Sequence, residues 1–335
     1  MADIGIIGAG SWGIALALTL HENGHKVTVW SVLADEVEML RTEREHKEKL
    51  PGVKLPEDIL FTTDIGLACR DKELIVLAVP SPYTRSTAHL MADYVKKEQN
   101  IVSVAKGIEE KTLATLSEII KEEIPFATVS VLSGPSHAEE VGRRIPTTCV
   151  VGAKEKKTAE YIQDIFMNDY FRVYTSPDVL GIELGGSLKN VVALAAGMAD
   201  GLGYGDNTKA ALITRGISEI SRLGMKMGGR LETFAGLTGI GDLIVTCASM
   251  HSRNRRAGIL IGEGKTMQEA MDEVKMVVEG VYSAKAAKAL GEKYDVSLPI
   301  IEQVNQVLFF DKPASEAVKD LMTRGRKAEL AWEEE

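Results

Sequence analysis

The chain is poor in the features that mark secreted, metal-bound or membrane-spanning proteins. Its 335 residues include 3 cysteines, Cys69, Cys149 and Cys247, far apart and odd in number. They build no disulfide framework and no C-x-x-C metal pair, so a reducing, cytoplasmic compartment is expected. Surplus positive charge is also lacking: 48 Asp and Glu against 39 Lys and Arg give a formal net charge of -9. That excludes a broad nucleic-acid or anionic-membrane surface. It leaves room for a small anion held by a few local cations. Residues 4–20 carry no charge, as in a signal peptide. Yet Asp3 stands where such a leader is positive, and Gly5, Gly8, Gly10 and Gly13 weaken its apolar region. No other stretch comes near the roughly 18 apolar residues of a membrane span, so no stable insertion is expected. The histidines, His21, His25, His46, His89, His137 and His251, show no metal-ligand spacing, and no metal is expected. G-x-S-x-G, H-E-x-x-H and Walker patterns, internal repeats and low-complexity linkers are absent too.

What is present is an ordinary globular balance, 45% hydrophobic and 26% charged. At about 150 residues per domain, the length suggests two domains. Short, continuous apolar runs at 4–7, 26–30, 74–79, 101–104 and 128–132 predict strands buried on both faces of a parallel sheet. Amphipathic stretches at 11–22, 34–48, 82–97 and 113–122 alternate with them and predict right-handed βαβ units. Runs at 147–151 and 171–174 extend the sheet. Near Ser176-Pro177-Asp178 the texture changes to long stretches rich in Ala, Leu, Met and Gly. Helices are expected at 180–200, 209–227, 267–273, 283–294 and 300–309, with Pro299 opening one and Pro313 breaking another. The charged run 35–49 reads as the wet face of a helix, and 331–335 as a solvated tail.

Gly8-Ala9-Gly10-Ser11-Trp12-Gly13 follows the first strand and opens the first helix. In that context G-x-G-x-x-G is a dinucleotide signature. The first glycine makes the tight turn, the second admits the pyrophosphate, and the third lets helix and strand pack closely. The fold expected is an N-terminal Rossmann-type, doubly wound, mainly parallel sheet over residues 1–178. An all-α substrate-binding and catalytic domain follows over 179–335. After the second strand the chain reads Trp30-Ser31-Val32-Leu33, with no acid for a ribose 2′-hydroxyl and no adjacent arginine for a 2′-phosphate. NAD and NADP both stay open as cofactor.

Charges standing alone in uncharged sequence are the next signal. Lys106 follows the uncharged run 100–105 at the carboxyl end of a strand, where ligands bind in such sheets. The alternative is an ordinary loop lysine. Lys189 is the only charge between Glu183 and Asp200. Desolvation there draws its pKa toward neutrality and suits it to exchange a proton with a substrate oxygen. The alternative is a lysine whose head reaches water. Asp242 is the only Asp, Glu, Lys or Arg between Glu232 and Arg253 and sits among Gly236, Gly239 and Gly241. It is either the carboxylate partner of Lys189 or the cap of the helix after it. Ser252-Arg253-Asn254-Arg255-Arg256 offers an anion grip or a solvated basic helix start. His137 is either structural or a rival acid/base group.

These residues resemble one family closely, the bacterial NAD(P)-dependent glycerol-3-phosphate dehydrogenases. The resemblance covers nearly the whole chain. It rests on the glycine motif, Ser133-Gly134-Pro135-Ser136-His137-Ala138-Glu139-Glu140 and Gly185-Gly186-Ser187-Leu188-Lys189-Asn190. It continues through Gly236-Leu237-Thr238-Gly239-Ile240-Gly241-Asp242-Leu243, Ser252-Arg253-Asn254 and Val278-Glu279-Gly280. It implies reversible reduction of dihydroxyacetone phosphate to sn-glycerol 3-phosphate for glycerophospholipid synthesis. It implies Lys189 as proton donor and acceptor, and Lys106 as a second cation touching substrate and cofactor. Asp242, Thr246 and Asn190 would complete the catalytic network. Arg253 and Asn254, helped by Ser252, would grip the phosphate, and Gly134 and Ser136 would touch the substrate. Gly8, Gly10, Ser11, Trp12, Gly13, Ala138, Arg253, Val277 and Glu279 would hold the cofactor. A homodimer is implied at the family level only. The family often has a basic residue just after the Trp that ends the second strand; here Ser31 and Val32 follow it. Two other readings stand beside this one: a dehydrogenase of 2- or 3-hydroxy acids, and a noncatalytic nucleotide sensor.

Overall fold

The computed structural model describes residues 1–326 together with 328 and 329. The terminal segment 331–335, expected as a solvated tail, lies outside the described residues.

In chain order the strands are β1 (Asp3–Ile7), β2 (Lys26–Trp30), β3 (Leu60–Thr62), β4 (Leu74–Leu77), β5 (Asn100–Ser103), β6 (Thr128–Ser133), β7 (Thr147–Gly152) and β8 (Phe171–Ser176). They form one sheet ordered β3-β2-β1-β4-β5-β6-β7-β8. The pairs from β3 to β6 are parallel, β7 runs antiparallel to β6, and β8 runs parallel to β7. The central strands are covered on both faces, which is why β1 and β4 read as unbroken apolar runs. Chain direction through the sheet reverses beside β1, between β2 and β4. That switch point is where such sheets open a crevice for ligands. The sequence reading missed β3, because three residues at a sheet edge, with Leu60 exposed, show no periodicity.

The helices around the sheet are α1 (Ser11–Glu22), α2 (Ala34–Glu43), α3 (Ile65–Cys69), α4 (Thr84–Met91), α5 (Leu116–Glu123), α6 (Ala138–Val141) and α7 (Lys156–Phe166). The predicted helix 34–48 stops early because Arg44 turns left-handed at φ 51. The predicted helix 82–97 breaks into α4 between two 3₁₀ turns, Ser81–Tyr83 and Ala92–Tyr94. The predicted start at 113 moves to Leu116, where Thr115 and Glu118 form a reciprocal cap on the helix end.

Beyond β8 the chain is helical: α8 (Val179–Gly201), α9 (Asp206–Met227), α10 (Leu231–Phe234), a π-helical turn (Leu237–Gly241), α11 (Asp242–Ala248), α12 (Arg253–Gly262), α13 (Met267–Val274), α14 (Glu279–Lys293), α15 (Pro299–Phe309) and α16 (Ala314–Met322). Asp178 caps α8 through Gly181 N–H at 3.0 Å and ties it to α10 through the Thr233 hydroxyl at 2.6 Å. One expectation is corrected here. Two helical stretches are long and apolar enough to cross a membrane, the 18-residue Leu231–Ala248 and, with a mean hydropathy of 1.4, the 23-residue α8. Its composition has another cause: it is the central helix of the helical core, with 83% of its most apolar window buried against its neighbours.

The closest helix pairing is between α8 and α12. A Cβ on Gly197 would lie 2.1 Å from Arg255 O, and one on Gly258 would lie 2.3 Å from Leu194 O. Gly201 and Gly262 repeat the pattern one turn along, at 2.2 and 2.3 Å from opposing carbonyls. The two backbones therefore touch, and the start of α12 is held against the middle of α8. Several polar contacts join the helical part to the sheet part. The Glu279 carboxylate accepts from Ser81 N–H at 3.0 Å and from the Ser81 hydroxyl. Glu183 accepts from Ser117 N–H at 2.8 Å at the start of α5. The Ser187 hydroxyl donates to Gly107 O at 3.0 Å.

Candidate active site

Two lysines and one aspartate meet where the sheet crevice faces α8. Lys106 stands just beyond β5, and Gly134 just beyond the adjacent β6. The Lys106 ammonium donates to Gly134 O at 2.9 Å and to Asp242 Oδ2 at 2.6 Å. Lys189, on α8, donates to Asp242 Oδ1 at 2.7 Å and to Thr246 Oγ1 at 2.6 Å. The Thr246 hydroxyl passes its own proton to Asp242 O at 2.6 Å. The π-helical turn delivers Asp242 at the first position of α11, and Thr246 follows one turn later on the same face. Asp242 is thus the partner of both lysines, and its carboxylate makes no cap bond to its helix.

An ammonium has three protons. Among the described residues, Lys189 and Lys106 each use two on the protein, which leaves one on each for a ligand oxygen. Burial lowers the Lys189 pKa to about 8, with Asp242 resisting the fall and Lys106 adding to it. Burial pushes Asp242 up, but Lys106 and Lys189 outweigh it and hold the carboxyl below its ordinary value. The cluster keeps one net positive charge when all three groups are ionised. That is the charge needed where a carbonyl oxygen becomes an alkoxide.

His137 faces the same cluster. Burial, then the two lysines, lower its pKa to about 4, so its ring is neutral near pH 7. Its Nε2 is buried and has no partner among the described residues, and neither has the Ser133 hydroxyl. Orphaned polar atoms beside two spare ammonium protons are what a site awaiting a polar ligand leaves behind. Ser136 donates to Gly134 O at 3.0 Å, so that carbonyl is shared between Ser136 and Lys106.

The anion-binding candidates lie at the start of α12. Ser252 caps it through Arg255 N–H at 3.2 Å. Asn254 donates to Asn190 Oδ1 at 3.0 Å and accepts from Gly280 N–H at 2.8 Å, which ties α12 to α8 and α14. Arg255 is spent on Asp200 at 2.8 Å and on Ala248 O at 2.9 Å. Arg253 has no side-chain hydrogen bond or ion pair among the described residues, and burial lowers its pKa while Glu279 and Glu139 oppose. A half-buried guanidinium without a partner is a ready anion site.

The glycine motif divides its labour as its spacing predicts. Gly8 has φ 122, and a Cβ there would strike Ala78 and Val79 backbone within 2.9 Å. A Cβ on Gly13 would lie 2.0 Å from Gly8 O, so α1 lies hard against the turn. On Gly10 it would meet nothing within 4 Å. The open side of Gly10 and the start of α1, which has no side-chain cap, form a cradle that fits a pyrophosphate. Ser11 opens the helix, and Trp12 packs on the sheet core with its ring 6.4 Å from that of Phe171. Ala138 opens α6, and half-buried Val277 precedes α14, but neither shows geometry that marks a role. The sequence reading overlooked Ser81, which follows β4 at the switch point and holds Glu279. The Pro80-Ser81-Pro82 turn at a strand end was the available signal.

Comparison with known proteins bears on the same motifs. The model of the family described as NAD-dependent glycerol-3-phosphate dehydrogenase matches the chain in two parts, the N-terminus over residues 3–159 and the C-terminus over residues 178–319. The chain belongs to this family. Among glycerol-3-phosphate dehydrogenases (NAD(P)+), that of Agathobacter rectalis is 68% identical over 99% of this chain and 100% of its own. That of Fusobacterium nucleatum is 61% identical with the same coverage. The crystal structure of the glycerol-3-phosphate dehydrogenase of Coxiella burnetii is 36% identical and superposes with a TM-score of 0.93, covering 96% of this chain and 99% of that one. Within this dehydrogenase frame, the three buried cysteines are free, and burial pushes each thiol up to about 12. They pack rather than react.

Proposed function

We propose that this protein reversibly reduces dihydroxyacetone phosphate to sn-glycerol 3-phosphate with NADH or NADPH, and that Lys189 is its proton donor. We include in this reading a homodimeric, cytoplasmic enzyme whose product feeds glycerophospholipid synthesis. Family membership over both parts of the chain and the names of the close relatives support the reaction. The observation that carries the mechanism is the single carboxylate of Asp242 bridging Lys189 and Lys106.

The nicotinamide, when bound, supplies the hydride. The Gly8–Gly13 turn and the start of α1 take its pyrophosphate. Lys189 turns its spare proton to the C2 oxygen of the substrate and transfers it as negative charge develops there. Asp242 and Thr246 fix the direction of that amine, and Lys106 adds the second positive charge. Arg253, with the N–H groups at the start of α12, holds the phosphate at the far end of the molecule. Binding energy gained there fixes the geometry at C2. In the oxidative direction, Lys189 as free amine takes the proton back.

The test is NADH and NADPH oxidation with dihydroxyacetone phosphate, beside 2-keto and 3-keto acids. Turnover confined to the phosphorylated ketone is expected. Preference for a keto acid would transfer the site to the hydroxy-acid dehydrogenases. Cofactor binding without any turnover would leave a nucleotide sensor.

A further inference from the structure

The loop after β6 brings one more side chain to the amine cluster, and proton transfer at C2 does not use it. Gly134 follows the strand with φ 150, where a Cβ would lie 2.9 Å from Thr148 O. Its carbonyl is held by Lys106 at 2.9 Å and by Ser136 at 3.0 Å. The chain then turns so that half-buried His137 feels the charges of Lys189, Lys106 and Asp242. Its ring also lies 5.9 Å, centroid to centroid, from that of His251. The next residue, Ser252, caps α12. His137 thus stands where the amine cluster and the phosphate grip approach each other.

His137 precedes α6, yet its side chain makes no cap bond to that helix. Nε2 is buried and has no partner among the described residues. Burial and the two lysines keep the ring neutral near pH 7, so it carries one proton. Asp242 and a hydrogen bond to the Val245 carbonyl work the other way. Because Nε2 has no partner, that bond belongs to Nδ1, which holds the proton. Nε2 is left with a lone pair, the form that a net positive cluster favours beside it. An acceptor needs a donor. The C2 ketone oxygen and a phosphate dianion only accept, so on dihydroxyacetone phosphate the one donor is the C1 hydroxyl. The spare ammonium protons are taken by the C2 oxygen, and neither lysine is bonded to Nε2.

We propose that His137 is a specificity residue: its buried Nε2 accepts the proton of the substrate's C1 hydroxyl and so selects a ketone flanked by a free primary alcohol. This rests on the proposed reaction and names what reads the end of the substrate opposite the phosphate. Hydroxyacetone phosphate has a methyl group at C1 and keeps both the ketone and the phosphate. Bound here, it leaves Nε2 buried and unpaired, and a site built to bind a hydroxyl rejects the analogue without it.

The experiment compares kcat/KM for dihydroxyacetone phosphate and hydroxyacetone phosphate with NADH, beside the NADH dissociation constant and the Tm. The unaltered enzyme should favour dihydroxyacetone phosphate by at least about tenfold. His137→Phe keeps an aromatic ring and removes both nitrogens. Its preference should fall by about tenfold, with NADH binding unchanged. His137→Gln, whose amide oxygen accepts a hydrogen bond, should restore part of that preference. Ser133 carries the other orphaned hydroxyl of the site, and Ser133→Ala should move the preference less than His137→Phe does. Equal use of the two ketones by the unaltered enzyme overturns the proposal, as does a preference unmoved in His137→Phe or lost in Ser133→Ala instead. So does a loss shared equally by both ketones with a lowered Tm, which marks a structural ring. Weaker NADH binding in His137→Phe would give Nε2 to the nucleotide and overturn it too. Turnover of neither ketone by the unaltered enzyme would overturn the proposed reaction itself, whereas turnover without selectivity overturns only the role of His137.

Discussion

At the scale of single residues, the site depends on how one carboxylate divides itself between two amines. Asp242 keeps Lys189 from losing its charge to burial, while Lys106 and burial bring its pKa down to about 8. A lysine is charged below its pKa and neutral above it. Ketone reduction needs the charged form and alcohol oxidation the free amine. Measured between about pH 7 and about pH 9, kcat for reduction should therefore fall and kcat for oxidation rise, both turning near 8. Two flat profiles, or profiles turning in the same direction, would count against Lys189. Arg253→Ala removes the unpaired guanidinium and should raise KM for dihydroxyacetone phosphate by about tenfold or more. An unchanged KM would exclude the phosphate grip. Isolated charges were the legible part of this site. Lys106, Lys189 and Asp242 stand out because uncharged sequence surrounds each of them. Their pairing was only half legible: Lys189 was the expected partner of Asp242, whereas Lys106, 136 positions away, reaches it only through the topology of the sheet.

At the scale of elements, backbone contact between α8 and α12 sets the site's dimensions. Gly197, Gly201, Gly258 and Gly262 form small-residue faces four apart on both helices. Their contact brings Asn254 within 3.0 Å of Asn190, the neighbour of Lys189. Gly258→Ala forces a methyl to within 2.3 Å of Leu194 O, so the helices must part. A loss of at least about 1–3 kcal/mol in stability is expected, with a lower Tm and a raised KM for the phosphorylated substrate. A variant with unchanged Tm and KM would show that the close approach is not needed. These glycines were visible in the sequence, but without a partner helix they read only as part of an Ala, Leu, Met and Gly texture. The strands were more legible, since burial on both faces writes itself as a continuous apolar run. Short pieces such as β3 and the π-helical turn were not, because their form is imposed by neighbours rather than by local pattern.

At the scale of the molecule, the proposed division at residue 178 separates two kinds of chemistry. In the proposed function, sheet turns hold the nucleotide, and the helical part brings the proton and the phosphate grip. Lys106–Asp242, Ser81–Glu279 and Ser117–Glu183 stitch the two together around the crevice. This division makes nucleotide binding and turnover separable. In Lys189→Met, Lys106 still neutralises Asp242, so the fold should persist and NADH should bind as before. The variant lacks only the proton donor. The most direct measurement is single-turnover reduction of dihydroxyacetone phosphate by Lys189→Met alongside its NADH dissociation constant. A rate lowered by about 10²–10⁴-fold with unchanged NADH binding is the predicted result. Turnover near that of the unaltered enzyme would contradict the account.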